Sequence, residues 1–96
     1  MHGEYKMPGG KLVVVDLALH DGRFAGVRLS GDFFLEPDAA LPAINAALEG
    51  RPADAADSAL VAAIDDALPT DTTMYGISSE AIVVALRRAL QEGEAG

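Results

Sequence analysis

The sequence predicts an α+β fold: a small antiparallel three-stranded sheet covered on one face by about three helices. Three observations carry this. The β-branched apolar stretches lie in the first third of the chain, helical periodicity occupies most of the rest, and a two-residue hairpin signal, Asp21-Gly22, divides the first two stretches. Strands followed by helices form a layered domain in which only one sheet face must be apolar.

Residues 11–20, rich in Val and Leu, predict the first strand, and residues 23–30 its partner. Asp21-Gly22 suits a type I′ turn, in which both central residues take positive φ. Simple pairing across that turn sets Val15 opposite Arg28, a poor match for a buried face. One extra residue in the second strand, near Ala25 or Gly26, brings Leu17 to Val27 and Val15 to Leu29. The buried face is then Val13, Val15, Leu17, Leu19, Phe24, Val27 and Leu29, with Asp16 and Arg28 outside. Residues 32–35 predict a short third strand after a tight turn at Gly31. Alternation sends Phe33 and Phe34 to opposite faces, one into the core and one to solvent or a partner.

The first helix lies within residues 37–49, with Leu41, Ile44 and Leu48 on one face and Gly50 as its stop. Pro42 lacks an amide donor and implies a late start or a kink. The second spans about residues 54–67, with a Leu60, Ile64, Leu68 stripe and Asp54 or Asp57 as cap. The third begins at an N-cap Ser78 with an Ile77/Ile82 staple. Its stripe is Ile82, Leu86 and Leu90, with Ala85 and Ala89 for close approach. Arg87 and Arg88 are expected near its negative end, and Gly93 as its stop. Residues 69–76 read as a polar loop whose Met74 and Tyr75 either fill the core or make contacts. Residues 94–96 read as a frayed tail.

Ninety-six residues form one domain, burying about 60–65% of the unfolded surface. Half the residues are apolar, so the chain folds, although alanine supplies much of that count and little volume. A net charge of −8 argues against a nucleic-acid partner, which calls for a basic footprint. Most of the acid follows Glu36, while Lys6 and Lys11 make the lead-in, residues 1–10 and the start of the first strand, locally basic. No apolar run approaches a membrane span and no leader is visible, so a cytoplasmic protein is expected. The absence of cysteine removes disulfides, thiolate metal sites and cysteine-based carriers.

Gly9-Gly10-Lys11 has two readings. Converging backbone amides and a lysine point charge suit an anion, although the spacing is not that of a Walker loop. Otherwise it is a flexible lead into a strand. Ser30-Gly31-Asp32-Phe33-Phe34 is either a contact surface or a turn with core aromatics, and Ser30 has no nucleophile setting. His2 and His20 stand outside any motif and read as surface histidines, with no metal site expected. Asp54, Asp57, Asp65 and Asp66 read as a solvated helix surface. No catalytic set is expected in this chain.

Three segments carry a family resemblance. They are Tyr5-Lys6-Met7-Pro8-Gly9-Gly10-Lys11-Leu12, the hairpin, and Ser30-Gly31-Asp32-Phe33-Phe34-Leu35-Glu36-Pro37, supported by Ile44-Asn45 and Leu48-Glu49-Gly50. Together they resemble the accessory domain of lipoate–protein ligases, which is a C-terminal domain in some ligases and a separate subunit in others. The resemblance implies a fold similar to sulfur-transfer and iron–sulfur scaffold proteins of the SufE and NifU type, whose cysteine chemistry this chain lacks. It implies a single accessory domain over residues 1–96 and a catalytic subunit as partner. That subunit would bind lipoate, ATP and Mg, form lipoyl-adenylate, and pass the lipoyl group to a lysine of an acceptor domain. Met1 and the short length match the separate-subunit arrangement. Lys6, Gly9, Gly10 and Lys11 would face the catalytic subunit near a phosphate, and Gly31, Asp32, Phe33 and Phe34 would shape the interface. A cysteine-free adaptor in cofactor assembly is the alternative, and a homodimer hiding Phe33 or Phe34 is a third.

Overall fold

The computed structural model describes residues 1–95. The first four elements are β1 (His2–Lys6), β2 (Leu12–His20), β3 (Arg23–Gly31) and β4 (Phe34–Glu36). After them come α1 (Ala40–Leu48), α2 (Asp57–Ala67), β5 (Thr73–Tyr75) and α3 (Ser79–Ala95). The sheet is three-stranded and antiparallel in the order β1-β2-β3, with the helices on one face, as the sequence predicts. Its third strand is not the expected one. The lead-in itself supplies β1, pairing Gly3 with Val15 and Tyr5 with Val13. The short strand β4 instead pairs with β5 in a separate two-stranded ribbon.

The outer edge of β3 explains this exchange. It is already occupied by the chain after α1. Gly50 donates to the Phe24 carbonyl, Phe24 to Arg51 and Ala53 to Gly22. Farther along, Glu49 accepts from the amides of Gly26 and Val27 at 3.0 Å each, and Asn45 Oδ1 accepts from Leu29 at 2.9 Å. Buried strand edges must find such partners, and with these in place the β3 edge is closed to β4. The loop expected over residues 69–76 contains β5 for the same reason: it is the strand that β4 can pair with.

The hairpin and bulge follow the sequence. Asp21 and Gly22 have φ of 53° and 76°. Asp16 pairs with Arg28 and Ala18 with Ala25, so Leu17 alone faces both Gly26 and Val27. Val15 pairs with Leu29, and Val13, Val15, Leu17, Phe24, Val27 and Leu29 are all buried. Leu19 departs from expectation at 44% exposure, since it lies one residue from the hairpin tip, where helix cover has ended.

Helix α3 lies across β1 and β2 and brings Ile82, Leu86 and Leu90 into the core. Ala85 and Ala89 approach β1 so closely that a side chain at Gly3 would collide with the Ala85 carbonyl and the Ala89 backbone. Ser78 caps this helix by accepting from Ala81 at 3.0 Å, and Ile77 is buried beside Ile82. The helix runs through Gly93 to Ala95, so Gly93 is not its stop, and of the expected frayed tail only residue 96 lies outside the described residues. Arg87 and Arg88 are therefore mid-helix and serve other elements. Arg87 binds Asp57 at 2.7 Å and the carbonyls of Ala53 and Ala55. Arg88 donates to the Glu4 carbonyl and stacks 5.0 Å from the centre of the Tyr5 ring.

Helix α1 starts late, which leaves Pro42 in the first turn where no amide donor is required. Gly50 ends it with a φ of 78°. Helix α2 begins at Asp57, not at Asp54. Its N-cap is Ala56 without a side-chain bond, because Asp57 stands inside the first turn and is engaged by Arg87. The helix packs against α1 and α3, and Ser79, buried at the start of α3, donates to Asp65 at 2.5 Å. No helix among the described residues is long and apolar enough to cross a membrane.

Candidate functional site

The motif segments far apart in sequence meet at one end of the domain. Residues Met7 to Gly10 form the turn between β1 and β2, closed by Gly10 N–H donating to the Met7 carbonyl at 2.8 Å. Pro8 suits the first central position of a type II turn, and Gly9, with φ of 67°, supplies the positive φ of the second. The Gly9-Gly10-Lys11 lead is thus an ordered hairpin turn.

Gly31 and Asp32 lock the far end of β3 to the start of β2. Asp32 Oδ1 accepts from the Leu12 amide at 2.7 Å, and the Asp32 amide donates to the Leu12 carbonyl at 3.3 Å. Gly31 has φ of 147°, and a Cβ there would strike that same carbonyl and crowd the Phe33 ring. The motif needs glycine for the close crossing and aspartate for the paired bond. Asp32 holds Lys11 and Leu12 in place with its carboxylate.

Phe33 and Phe34 divide as alternation requires. Phe33 is half-buried against the core, and Phe34 is 53% exposed. Phe34 pairs directly with Tyr75 across the β4–β5 ribbon, and Tyr75 is 67% exposed. Met74 packs on the core while Tyr75 faces solvent, so both readings of that pair hold, one for each residue.

Two clefts flank the ribbon. One, of about 390 Å³, is lined by the Met7 to Lys11 turn with Tyr75 and Gly76. The Lys11 stem lies against Gly76, where a Cβ would displace it. The other, of about 490 Å³, is lined by Leu29, Ser30, Gly31, Phe33, Leu35, Asp38 and Leu41. Gly9, Gly10 and Lys11 therefore share one cleft, Gly31 and Phe33 the other, and Phe34 stands on the ribbon that links them. Lys6, opposite Leu12 in the sheet, lines neither cleft. Neither lysine is in an ion pair among the described residues.

Tyr75 and Asp38 join the site through tertiary structure. Tyr75 sits in a polar stretch with no strand pattern, and nothing local in the sequence marks Asp38. His2 is also more engaged than its sequence context implies. It lies in β1 with Nδ1 2.7 Å from Asp16 and Nε2 2.7 Å from Glu4. The bond to Glu4, then that to Asp16, raises its pKa above the usual 6.5. It lines neither cleft.

Comparison with known proteins agrees with this geometry. No family model matches the chain, and no curated protein matches it either. A solved structure does: that of an archaeal lipoylation system from Thermoplasma acidophilum, a bipartite lipoate protein ligase and its E2 lipoyl domain. The match has a TM-score of 0.65 and 26% sequence identity, covering 91% of this chain and 98% of that one. Over nearly all of its fold this chain resembles a component of that bipartite lipoate protein ligase system, consistent with the accessory domain.

Proposed function

We propose that this chain is the non-catalytic accessory subunit of a bipartite lipoate–protein ligase and acts in protein lipoylation in the cytoplasm. The observation that carries the reading is the convergence of the two motif segments, through Leu12 and Asp32, beside an exposed Phe34–Tyr75 pair. The structural match to a bipartite ligase system supports it. A solvent-facing aromatic pair close to Lys11, which is in no ion pair among the described residues, has the composition of a contact surface.

In this reading the catalytic subunit holds lipoate, ATP and Mg and forms lipoyl-adenylate. The accessory chain docks through its ribbon, with Gly9, Gly10 and Lys11 turned toward the phosphate side and Lys6 alongside. Gly31 and Asp32 keep those groups in register. Docking energy orders the adenylation site, and a lysine charge close to the phosphates stabilises charge that develops during transfer. The lipoyl group then passes to a lysine of an acceptor domain.

The test is lipoyl-adenylate formation from lipoate and ATP by the catalytic subunit with and without this chain. Adenylate is expected only from the pair, with a loss of about a hundredfold for the Lys6→Ala, Lys11→Ala double variant, the low end of what removing one preorganised electrostatic donor costs. Equal activity of the catalytic subunit alone would overturn the reading and favour a cysteine-free adaptor of similar fold. Concentration-dependent dimerisation that buries Phe34 would favour a self-associating protein.

A further inference from the structure

Lys6 and Lys11 lie on one hairpin, yet they project from opposite faces of the sheet. Strand alternation places Lys6 opposite in direction to Tyr5, which packs on the core, so Lys6 leaves the outer face with Glu4. Lys11 shares its direction with the buried Val13 and Val15 and leaves on the helix side. There it lies against Gly76, which turns the chain from β5 toward α3 with a φ of 75°. A Cβ on Gly76 would overlap Lys11 Cγ and come within 2.9 Å of Lys11 Cβ. This contact is at the root of the side chain, so it sets the course of the whole stem and not only of its tip. The neighbouring amide, that of Leu12, is held by the Asp32 carboxylate at 2.7 Å.

A lysine stem is flexible, and placing its ammonium costs rotamer freedom. Where the root of the stem is already fixed, part of that freedom is gone before a partner arrives. Resting on the accessory-subunit reading, we propose that Gly76 is a positioning residue for Lys11, and that Lys11, more than Lys6, supplies the charge on which lipoyl-adenylate formation depends. Glycine serves here twice. It lets the lysine stem pass over its backbone, and it takes the positive φ that leads out of the ribbon. Gly76 also follows Tyr75 directly, so the exposed aromatic pair and the guided lysine meet at one peptide unit. A partner seated on the ribbon therefore finds the Lys11 stem on a set course, whereas Lys6 starts from the other side of the sheet.

The experiment is lipoyl-adenylate formation from lipoate and ATP by the catalytic subunit reconstituted with this chain. The kcat and the KM for ATP are measured separately, and titration of the chain gives its affinity for the subunit. Lys11→Ala should lower kcat about a hundredfold, and Lys6→Ala about threefold, the size of an exposed-charge effect. Gly76→Asn introduces a residue that tolerates positive φ but carries a Cβ. It should lower kcat about tenfold and leave the affinity for the catalytic subunit unchanged. Combined with Lys11→Ala it should add no further loss, because both changes act through one ammonium. A loss that multiplies in the double variant, a fully active Gly76→Asn, or equal losses at the two lysines overturns the assignment and leaves the accessory reading standing. Thermal melts show whether Gly76→Asn folds, and the wild-type chain supplies a readout that needs no variant. NMR relaxation of the side-chain methylenes should show the Lys11 stem ordered and the Lys6 stem mobile, and equal mobility overturns the positioning role. A catalytic subunit that is equally active alone overturns the accessory reading and this assignment together.

Discussion

The β1–α3 contact and the β4–β5 ribbon hold their residues by opposite rules. Under α3, Gly3 leaves room for helix backbone, Ala85 and Ala89 are fully buried, and Leu86 is sealed inside. On the ribbon, Phe34 and Tyr75 keep more than half of their surface in solvent. The first region holds the fold together, joining an alanine-bearing helix to a short, mostly polar strand. The second adds little to the core and carries Phe34 of the Ser30-to-Pro37 segment. The exposed aromatic pair and the stabilising core are different places, which is the arrangement expected when a surface is kept for a partner.

That contrast can be broken from the core side first. Leu86→Ala empties a fully buried position, and a loss of about 3 kcal/mol is expected. Denaturant unfolding measures it, and a loss below about 1 kcal/mol would show that α3 is not the keystone assigned here. Gly3→Ala should lose about 2 kcal/mol, because the new methyl group forces α3 off the sheet. Glu49→Ala strips the acceptor from two amides at the β3 bulge, and about 1.5 kcal/mol is expected by the same measurement.

The ribbon should answer differently. Phe34→Ser with Tyr75→Ser should change stability by no more than about 0.5 kcal/mol, since both are exposed. The same double variant should lower adenylate formation by the reconstituted pair severalfold. Unchanged activity would remove the ribbon from the interface.

The smallest effect is a pH dependence on the outer sheet face. The folded-state pKa of His2 is raised by Glu4 and then Asp16, so its contribution is fully present below the unfolded value of 6.5. It is lost as pH rises through the folded value. His2→Gln should therefore narrow the stability gap between wild type and variant as pH rises from about 5.5 to 8.5. Melts at the two pH values measure this, and a gap independent of pH would show that the His2 bonds do not depend on its charge.

The local choices are written in neighbouring residues. Asp21-Gly22 sets the hairpin because two positive-φ residues leave the strands one way to pair. The misfit of Arg28 against Val15 demands the bulge, and helical spacing selects Ile82, Leu86 and Leu90. Adjacent phenylalanines must part, so one exposed aromatic was legible without coordinates. Tertiary structure decided which strand completes the sheet. His2 to Lys6 is short and mostly polar, with little strand pattern, and becomes β1 because α3 can cover Gly3. β4 found the β3 edge taken by Asn45, Glu49 and residues 50–53, and paired with β5 instead. Edge competition is settled between segments distant in sequence, and no window of residues records its outcome. The same competition brought Tyr75 beside Lys11 and opened the two clefts, so the motif was readable from the sequence while its surroundings had to await the fold.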